Sequence, residues 1–280
     1  MNTGQQRSLL CPRCRKLISS DEPACPYCNL QKPGSAIKRS FFAVGLRDAD
    51  TIIRAIIYLN VGMFALSLLF NPRALGVTLN PFTFLSPSDR ILLLLGATGT
   101  IPIDQLERWW TLVSANYLHG SILHIFFNMV AFRQLATLVI REYGTSRMVV
   151  IYTAGGIIGF LISYLAGIRL TIGASAAVCA LIGSLLFYGR NRGGLYGKII
   201  YRQIGGWAIG IFMFGLLVPG INNWGHGGGM LAGALLGLLL GYQERSRENS
   251  WHRILSGGCL LMTVAVLGWA VLSGVYFRFA

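Results

Sequence analysis

Ser175 stands in the stretch TIGASAAVCALIGS, Thr171 to Ser184, between Gly173, Ala174 and Ala176. The stretch reads as a membrane-spanning helix with the serine in its first turn. A second run, NNWGHGGGMLAGALLG, opens on His226. A histidine in lipid is costly, so it marks a functional site by default. A serine hydroxyl is a weak nucleophile until a base takes its proton, and His226 is the candidate base. A third run begins NYLHGSILHIFFN, where His124 and Asn128 are four apart and share one helix face. His119 lies near the start of that run.

A serine–histidine pair usually has a carboxylate behind the histidine. The ten acidic residues are Asp21, Glu22, Asp48, Asp50, Asp89, Asp104, Glu107, Glu142, Glu244 and Glu248. None falls in the outer half of the apolar runs that carry the polar residues, so the expected site is a Ser–His dyad. Its tetrahedral intermediate needs preorganised donors. The candidates are His124, Asn128 and the backbone N–H of Ser175, the last aided by the helix dipole.

The elements that must bring these groups together are apolar. Of 280 residues, 54% are hydrophobic and 12% charged, and the apolar residues come in long runs, the signature of a polytopic membrane protein. Spans are expected at roughly 52–70, 117–139, 148–168, 172–189, 200–218, 224–242 and 254–276. The net charge of +14 follows from topology and does not require nucleic acid. Arg7, Arg13, Arg15, Lys16, Lys32, Lys38, Arg39 and Arg47 precede the first span. Arg141 and Arg147 lie between spans two and three, Arg190, Arg192, Lys198 and Arg202 around the next such connection, and Arg245, Arg247 and Arg253 between spans six and seven. The opposite side holds Arg73, Arg90, Arg108, Arg169 and Arg278. The basic loops stay cytoplasmic, which puts the N-terminus inside and the C-terminus outside. The first span, arriving after about fifty polar residues, is expected to be an uncleaved anchor. Spans two, four and six then run in one direction, with His124, Ser175 and His226 at similar depth below the outer surface. Water must reach them through a cavity.

Small residues recur every four positions: Gly155, Gly159, Ser163 and Gly167 in span three, Ser175, Cys179 and Gly183 in span four, Gly229, Gly233, Gly237 and Gly241 in span six. Such faces let helix backbones approach closely, and Cys179 is expected to be a packing residue. In the long loop after span one, SPSDRILLLLGATG is too short to cross. Ser88 or Asp89 is expected to cap a short helix there, and Trp109 and Trp110 to anchor at the interface.

The N-terminal residues form a separate unit. Cys11, Cys14, Cys25 and Cys28 make two CxxC knuckles ten residues apart, a set that completes a tetrahedral zinc site. On the cytoplasmic side the thiols stay reduced, and a module this short needs a structural metal to fold. The pattern resembles the zinc ribbons at the ends of many bacterial proteins, which bind protein or nucleic acid. A cytoplasmic protein is the expected partner. Gln31 to Arg47 is a basic stretch suited to anionic headgroups.

The membrane part resembles the rhomboid family of intramembrane serine proteases. The matching residues are His124-x-x-x-Asn128, Gly173-Ala174-Ser175-Ala176 and His226-x-x-Gly229-x-x-x-Gly233, and the resemblance covers roughly residues 50–245. It implies Ser175 as nucleophile, His226 as general base, His124 and Asn128 as oxyanion ligands and His119 near the active-site mouth. It implies catalysis without a cofactor and substrates that are single-pass membrane proteins, cut near a small residue followed by a helix-destabilised segment. It also implies a lateral entrance beside Ile199–Val218 and a flexible cap at Pro219–Asn223. The expected architecture is all-α: a ribbon at 1–33, a basic linker at 34–50, a six-helix rhomboid core at 51–245, and a loop with a seventh transmembrane helix at 246–280. The expected setting is a bacterial cytoplasmic membrane.

Two positions depart from the family. Ala176 replaces the usual glycine after the serine, and Trp110 is followed by Thr111 where an arginine is common, leaving Arg108 nearest. A rhomboid-like protein without activity, serving membrane-protein quality control, is the alternative, although such relatives typically lack the serine or the histidine. A transporter would show internal repeats or broken midplane helices, and neither is present.

Overall fold

The computed structural model describes residues 8–11, 14, 16–20, 22–33, 48–71, 84–218 and 220–279. Most of the basic linker, with Lys38, Arg39 and Arg47, lies outside the described residues, as do Arg7, Arg13, Arg15, Asp21, Arg73 and Pro219. The chain divides into two compact units, Met1–Ala55 and Ile56–Ala280.

In the first unit, β1 (Ser8–Leu10) pairs antiparallel with β2 (Leu17–Ser19), Leu9 opposite Ile18. Cys11 and Cys14 lie between the two strands, and Cys25 and Cys28 lie within a second turn closed by Ala24 and Gln31. Ile18 is buried with Cys11 and Cys25, and Leu9 and Leu30 pack against them.

From Ala49 onward the described residues are mostly helical. The long helices are α1 (Ala49–Leu69), α4 (Ile122–Tyr143), α5 (Thr145–Leu165), α6 (Ser175–Arg192), α7 (Gly194–Leu217), α8 (Asn223–Leu240) and α9 (Ser250–Phe279). Two short helices, α2 (Asp89–Leu94) and α3 (Thr111–Ser114), belong to the loop between α1 and α4. Ser88 occupies the cap position of α2 without a side-chain bond. Among the described residues, five helices, α1, α4, α5, α7 and α9, are long and apolar enough to cross a membrane. The two that fall short by composition, α6 and α8, carry Ser175 and His226. Polar and glycine residues dilute them, and α6 is the most enclosed helix, buried from Ala176 to Leu185.

Helices α5, α6 and α8 form the centre of the membrane unit, with α4 and α7 against α6 and α9 against α5, α3 and α2. The small-residue faces explain the closeness. A Cβ placed on Gly229 would lie 2.2 Å from the Ala176 carbonyl oxygen, and one on Gly233 1.8 Å from that of Ala180. Gly167 is an exception to the expected stripe. It lies beyond the end of α5, and an added Cβ there would meet nothing within 4 Å.

Several helices begin elsewhere than hydropathy suggests. Residues 115–117 form a tight 3-10 turn, Leu118 is extended, and α4 starts only at Ile122. Helix α5 starts at Thr145 because a distant carboxylate satisfies its first donors. Glu248 accepts from the Arg147 N–H (3.0 Å) and the Ser146 hydroxyl (3.4 Å). Arg147 is therefore not a solvated loop charge. It is fully buried, and its guanidinium donates to the carbonyls of Tyr143, Ser246 and Arg247 and to the Ser246 hydroxyl. The expected cap at 219–223 is shorter than it reads: Asn222 caps α8 through its side chain and Asn223 is already helical.

The long loop is held without the family's arginine. Arg108 Nη1 donates to Leu93 O at 3.3 Å and its guanidinium lies over the Phe277 ring of α9. Thr111 Oγ1 donates to Thr98 Oγ1 at 3.0 Å. Trp109 is half exposed and meets Tyr164 edge-on.

Candidate active site and thiol cluster

Each polar residue of interest stands near the N-terminal end of a helix. Ser175 is the first residue of α6, His124 the third of α4 and His226 the fourth of α8. His124 and Ser175 lie nearer their helix ends than the expected spans put them, and His226 lies within one residue of its expected position. Local chemistry sets those starts. Ser121 caps α4 by accepting from the His124 N–H at 3.2 Å. Asn222 caps α8 by accepting from the Gly225 N–H at 3.0 Å. The lead-in to α6 is extended: Thr171 and Thr98 exchange backbone hydrogen bonds of 3.1 and 2.7 Å, and the Gly173 N–H donates to Ala115 O at 2.9 Å.

The structure brings Ser175 and His226 together. His226 Nε2 lies 2.9 Å from Ser175 Oγ, across two helices and fifty-one positions of sequence. His226 is buried, and its Nδ1 has no hydrogen-bond partner among the described residues. The carboxylates found in hydrogen bonds and ion pairs are engaged elsewhere: Asp48 with Thr51, Asp104 with Tyr164, Glu142 with Arg141 and Tyr196, Glu244 with Arg192, and Glu248 with the start of α5.

His124 faces the same point. A Cβ on Gly173, whose φ is +121°, would sit 2.8 Å from His124 Nε2 and 3.6 Å from Ser175 Oγ. Only glycine takes that backbone comfortably, and its missing side chain leaves the space between serine and histidine open. The Gly120 N–H donates to His124 Nδ1 at 3.3 Å. In a neutral ring this assigns the proton to Nε2, so His124 presents an N–H towards the space beside Ser175. Asn128 is buried and spends one amide hydrogen on His124 O at 2.9 Å. His119 is fully buried, its ring edge-on to that of His124 with centroids 5.0 Å apart. It thus packs against His124.

Ala176 is 1% exposed in a cluster with Ile103, Leu112, Ala115 and Phe160. Its methyl is accommodated because Gly159 opposite has none: a Cβ there would approach Ala176 Cβ to 3.2 Å. Cys179 is fully buried, 3.3 Å from where a Gly229 Cβ would stand, and serves packing. The residues that sequence reasoning missed are Asn222, Thr98, Thr171 and Arg147. They are polar groups whose partners lie far along the chain, and no local pattern flags them.

In the N-terminal unit the sulfur atoms of Cys11, Cys14, Cys25 and Cys28 all lie within 4.8 Å of one another. Cys11 and Cys28 are 3.7 Å apart and Cys14 and Cys25 3.6 Å. A tetrahedral ion with sulfur ligands at about 2.3 Å needs sulfurs roughly 3.8 Å apart, so the four thiols fit such an ion. Burial pushes the Cys28 thiol up to about 12, and hydrogen bonds with the other three thiols add to the rise. A divalent cation at their centre reverses that preference, since a coordinating thiol is deprotonated outright.

The membrane part of the chain is similar to known proteins. The pattern of the Rhomboid domain family matches residues 106–243. Rhomboid protease GluP of Bacillus subtilis is 33% identical over 65% of this chain and 35% of its own length. RHOMBOID-like protein 5 of Arabidopsis thaliana is 33% identical over 56% of this chain and 52% of its own. Rhomboid-like protease 3 of Toxoplasma gondii is 27% identical over 65% and 70%. The chain thus spans between a third and about half of the first two relatives. The chain thus carries a match to the Rhomboid domain at residues 106–243, just under half of its length, within a helical membrane architecture.

Proposed function

We propose that the protein is an intramembrane serine endopeptidase that cleaves transmembrane segments of membrane proteins with a Ser175–His226 dyad. The observation that carries this reading is the 2.9 Å contact between His226 Nε2 and Ser175 Oγ. His226 Nε2 accepts the hydroxyl proton as Ser175 Oγ attacks the scissile carbonyl carbon. Negative charge moves to the carbonyl oxygen, where the His124 Nε2–H, the Asn128 amide and the Ser175 backbone N–H are the candidate donors. The last lies outside the helix's own hydrogen-bond ladder. His226 then gives its proton to the leaving amine, and a water repeats the sequence on the acyl-enzyme. With no carboxylate behind it, the orientation of His226 rests on the packing and capping of α8.

The seven long helices serve as six crossings of a rhomboid core plus a seventh. Charge distribution supports a cytoplasmic N-terminus and an outward-facing site, in a bacterial cytoplasmic membrane. Substrates enter beside α7. The N-terminal module binds one structural zinc through Cys11, Cys14, Cys25 and Cys28 and docks a cytoplasmic protein partner.

Purified protein in detergent or bilayers is expected to cut a model transmembrane substrate at one site. Ser175→Ala and His226→Ala should each reduce the rate by at least about a thousandfold, and a fluorophosphonate should label the wild type and not Ser175→Ala. Cleavage that survives both substitutions removes the dyad. A folded protein that neither cleaves nor labels favours the quality-control alternative. Metal analysis should find about one zinc per chain, lost in Cys11→Ser/Cys14→Ser; metal-free wild type would refute the zinc assignment.

A further inference from the structure

Asn222 makes more bonds across the membrane unit than its place in a short loop requires. Its Oδ1 accepts from the Gly225 N–H at 3.0 Å, and its backbone carbonyl accepts from the His226 N–H at 3.2 Å. Those two bonds fix the first turn of α8. Its Nδ2 donates to Ser163 Oγ of α5 at 2.5 Å and to Thr171 Oγ1 at 3.1 Å. Thr171 opens the short segment that leads into Ser175 and is locked to the long loop through Thr98 and Thr111. One side chain therefore joins the helix of the base, the lead-in to the nucleophile and the neighbouring α5.

The packing of α6 against α8 creates the need for such a joint. Small-residue faces allow close approach but offer few knobs to oppose sliding along the axis. A slide of one residue moves a side chain by about 1.5 Å, enough to lose the contact between His226 and Ser175. Directional hydrogen bonds at the end of the helix oppose that slide. Ser163 is fully buried and Thr171 nearly so, so water competes little for their hydroxyls.

We propose that Asn222 is a positioning residue: it sets the axial register of His226 against Ser175 by tying the start of α8 to Thr171 and Ser163. The proposal rests on the dyad reading above. A simpler role, capping alone, predicts different behaviour. Serine caps a helix about as well as asparagine but is too short to span both hydroxyls.

The test compares Asn222→Ser, which keeps a capping oxygen, with Ser163→Ala/Thr171→Val, which keeps Asn222 and removes its two acceptors. The readouts are the rate of fluorophosphonate labelling at Ser175, kcat and KM on a transmembrane substrate, and the melting temperature. Both variants are expected to lower labelling and kcat about tenfold or more, the scale of a misplacement near 1 Å. KM should change less than about twofold, since these residues do not touch substrate. Wild-type labelling in either variant overturns the proposal while leaving the dyad intact. A wild type that does not label at all, or labels equally in Ser175→Ala, overturns the dyad and this inference with it.

Discussion

Helices α7 and α8 both flank α6, and they do so in opposite ways. Along α8 the contact is backbone to backbone for two turns and more, through Gly229, Gly233 and Gly237. Along α7 the buried residues are Gly197, Ile200 and Ile204, all in its first half. Close approach there is confined to the Gly189–Gly197 crossing, where either glycine's Cβ would fall within 3 Å of the other's carbonyl oxygen. The second half of α7 presents Ile209, Phe212, Met213, Phe214, Leu216 and Leu217 outward. Its link to α8 runs through Asn223, whose Nδ2 donates to Phe212 O at 3.4 Å and whose Oδ1 lies 2.0 Å from where a Gly215 Cβ would stand. One neighbour thus packs closely along several turns, the other along its first half alone. On the function proposed above, the first holds the dyad and the second borders the route of the substrate.

The largest expected effect follows from crowding the fixed side. Gly233→Val would put carbon where the Ala180 carbonyl oxygen stands, since even a Cβ falls 1.8 Å from it. Backbone cannot yield as a flexible side chain does, so α8 must move away from α6. We expect a loss of roughly 3 kcal/mol or more, the upper end for overpacked sites. Labelling at Ser175 should disappear even at temperatures where the protein remains folded. A Gly233→Val protein that melts and labels like wild type would remove the distinction between the two neighbours.

On the other side, the same crude treatment should be tolerated. Ile209→Ala/Leu216→Ala trims chains that are 66% and 63% exposed, and such surface changes usually stay within about 0.5 kcal/mol. The substrate's route widens, so cleavage of a transmembrane substrate is expected to rise by roughly two- to fivefold, as for a gate that limits turnover. Labelling by a small fluorophosphonate, which needs no lateral passage, should not change. If both rates move together, α7 shapes the dyad and not the entrance.

Much of this was legible in the chain. The apolar runs gave the long helices, and the four-residue spacing of glycine in the sixth run gave the α6–α8 contact, because close approach needs small residues whatever their partner. The paired CxxC motifs anticipated a cluster whose sulfurs lie within 4.8 Å. Helix starts were less legible. Hydropathy averages over a window, whereas the starts of α4 and α5 are fixed by single bonds from Ser121 and Glu248. Arg147 misled for a related reason. Its charge reads as loop topology, yet its partners, Ser246 and Arg247, lie about a hundred residues away. Local pattern cannot report a partner at that distance.

Ala176 gives the smallest and most particular prediction. It follows the serine, on the face where α6 meets both α5 and α8, and its methyl lies among Leu112, Ala115 and Phe160 opposite Gly159. The added carbon and the missing one opposite compensate: the pair Ala176–Gly159 fills the space once. Ala176→Gly therefore opens a methyl-sized gap and introduces glycine into a helix, together worth about 1–2 kcal/mol of stability. Labelling at Ser175 should change less than about twofold, because no group of the dyad is touched. The reverse change across the contact separates packing from chemistry. Ala176→Gly/Gly159→Ala should recover part of the loss, since Gly159 faces the Gly225 oxygen and the Gly229 nitrogen at about 3 Å and accepts a methyl less readily than position 176 does. A single Gly159→Ala, with both methyls present, should be worse than either. Were it instead neutral, α5 and α6 would have slack at the site, and the closeness argued for α8 would not extend to its second neighbour.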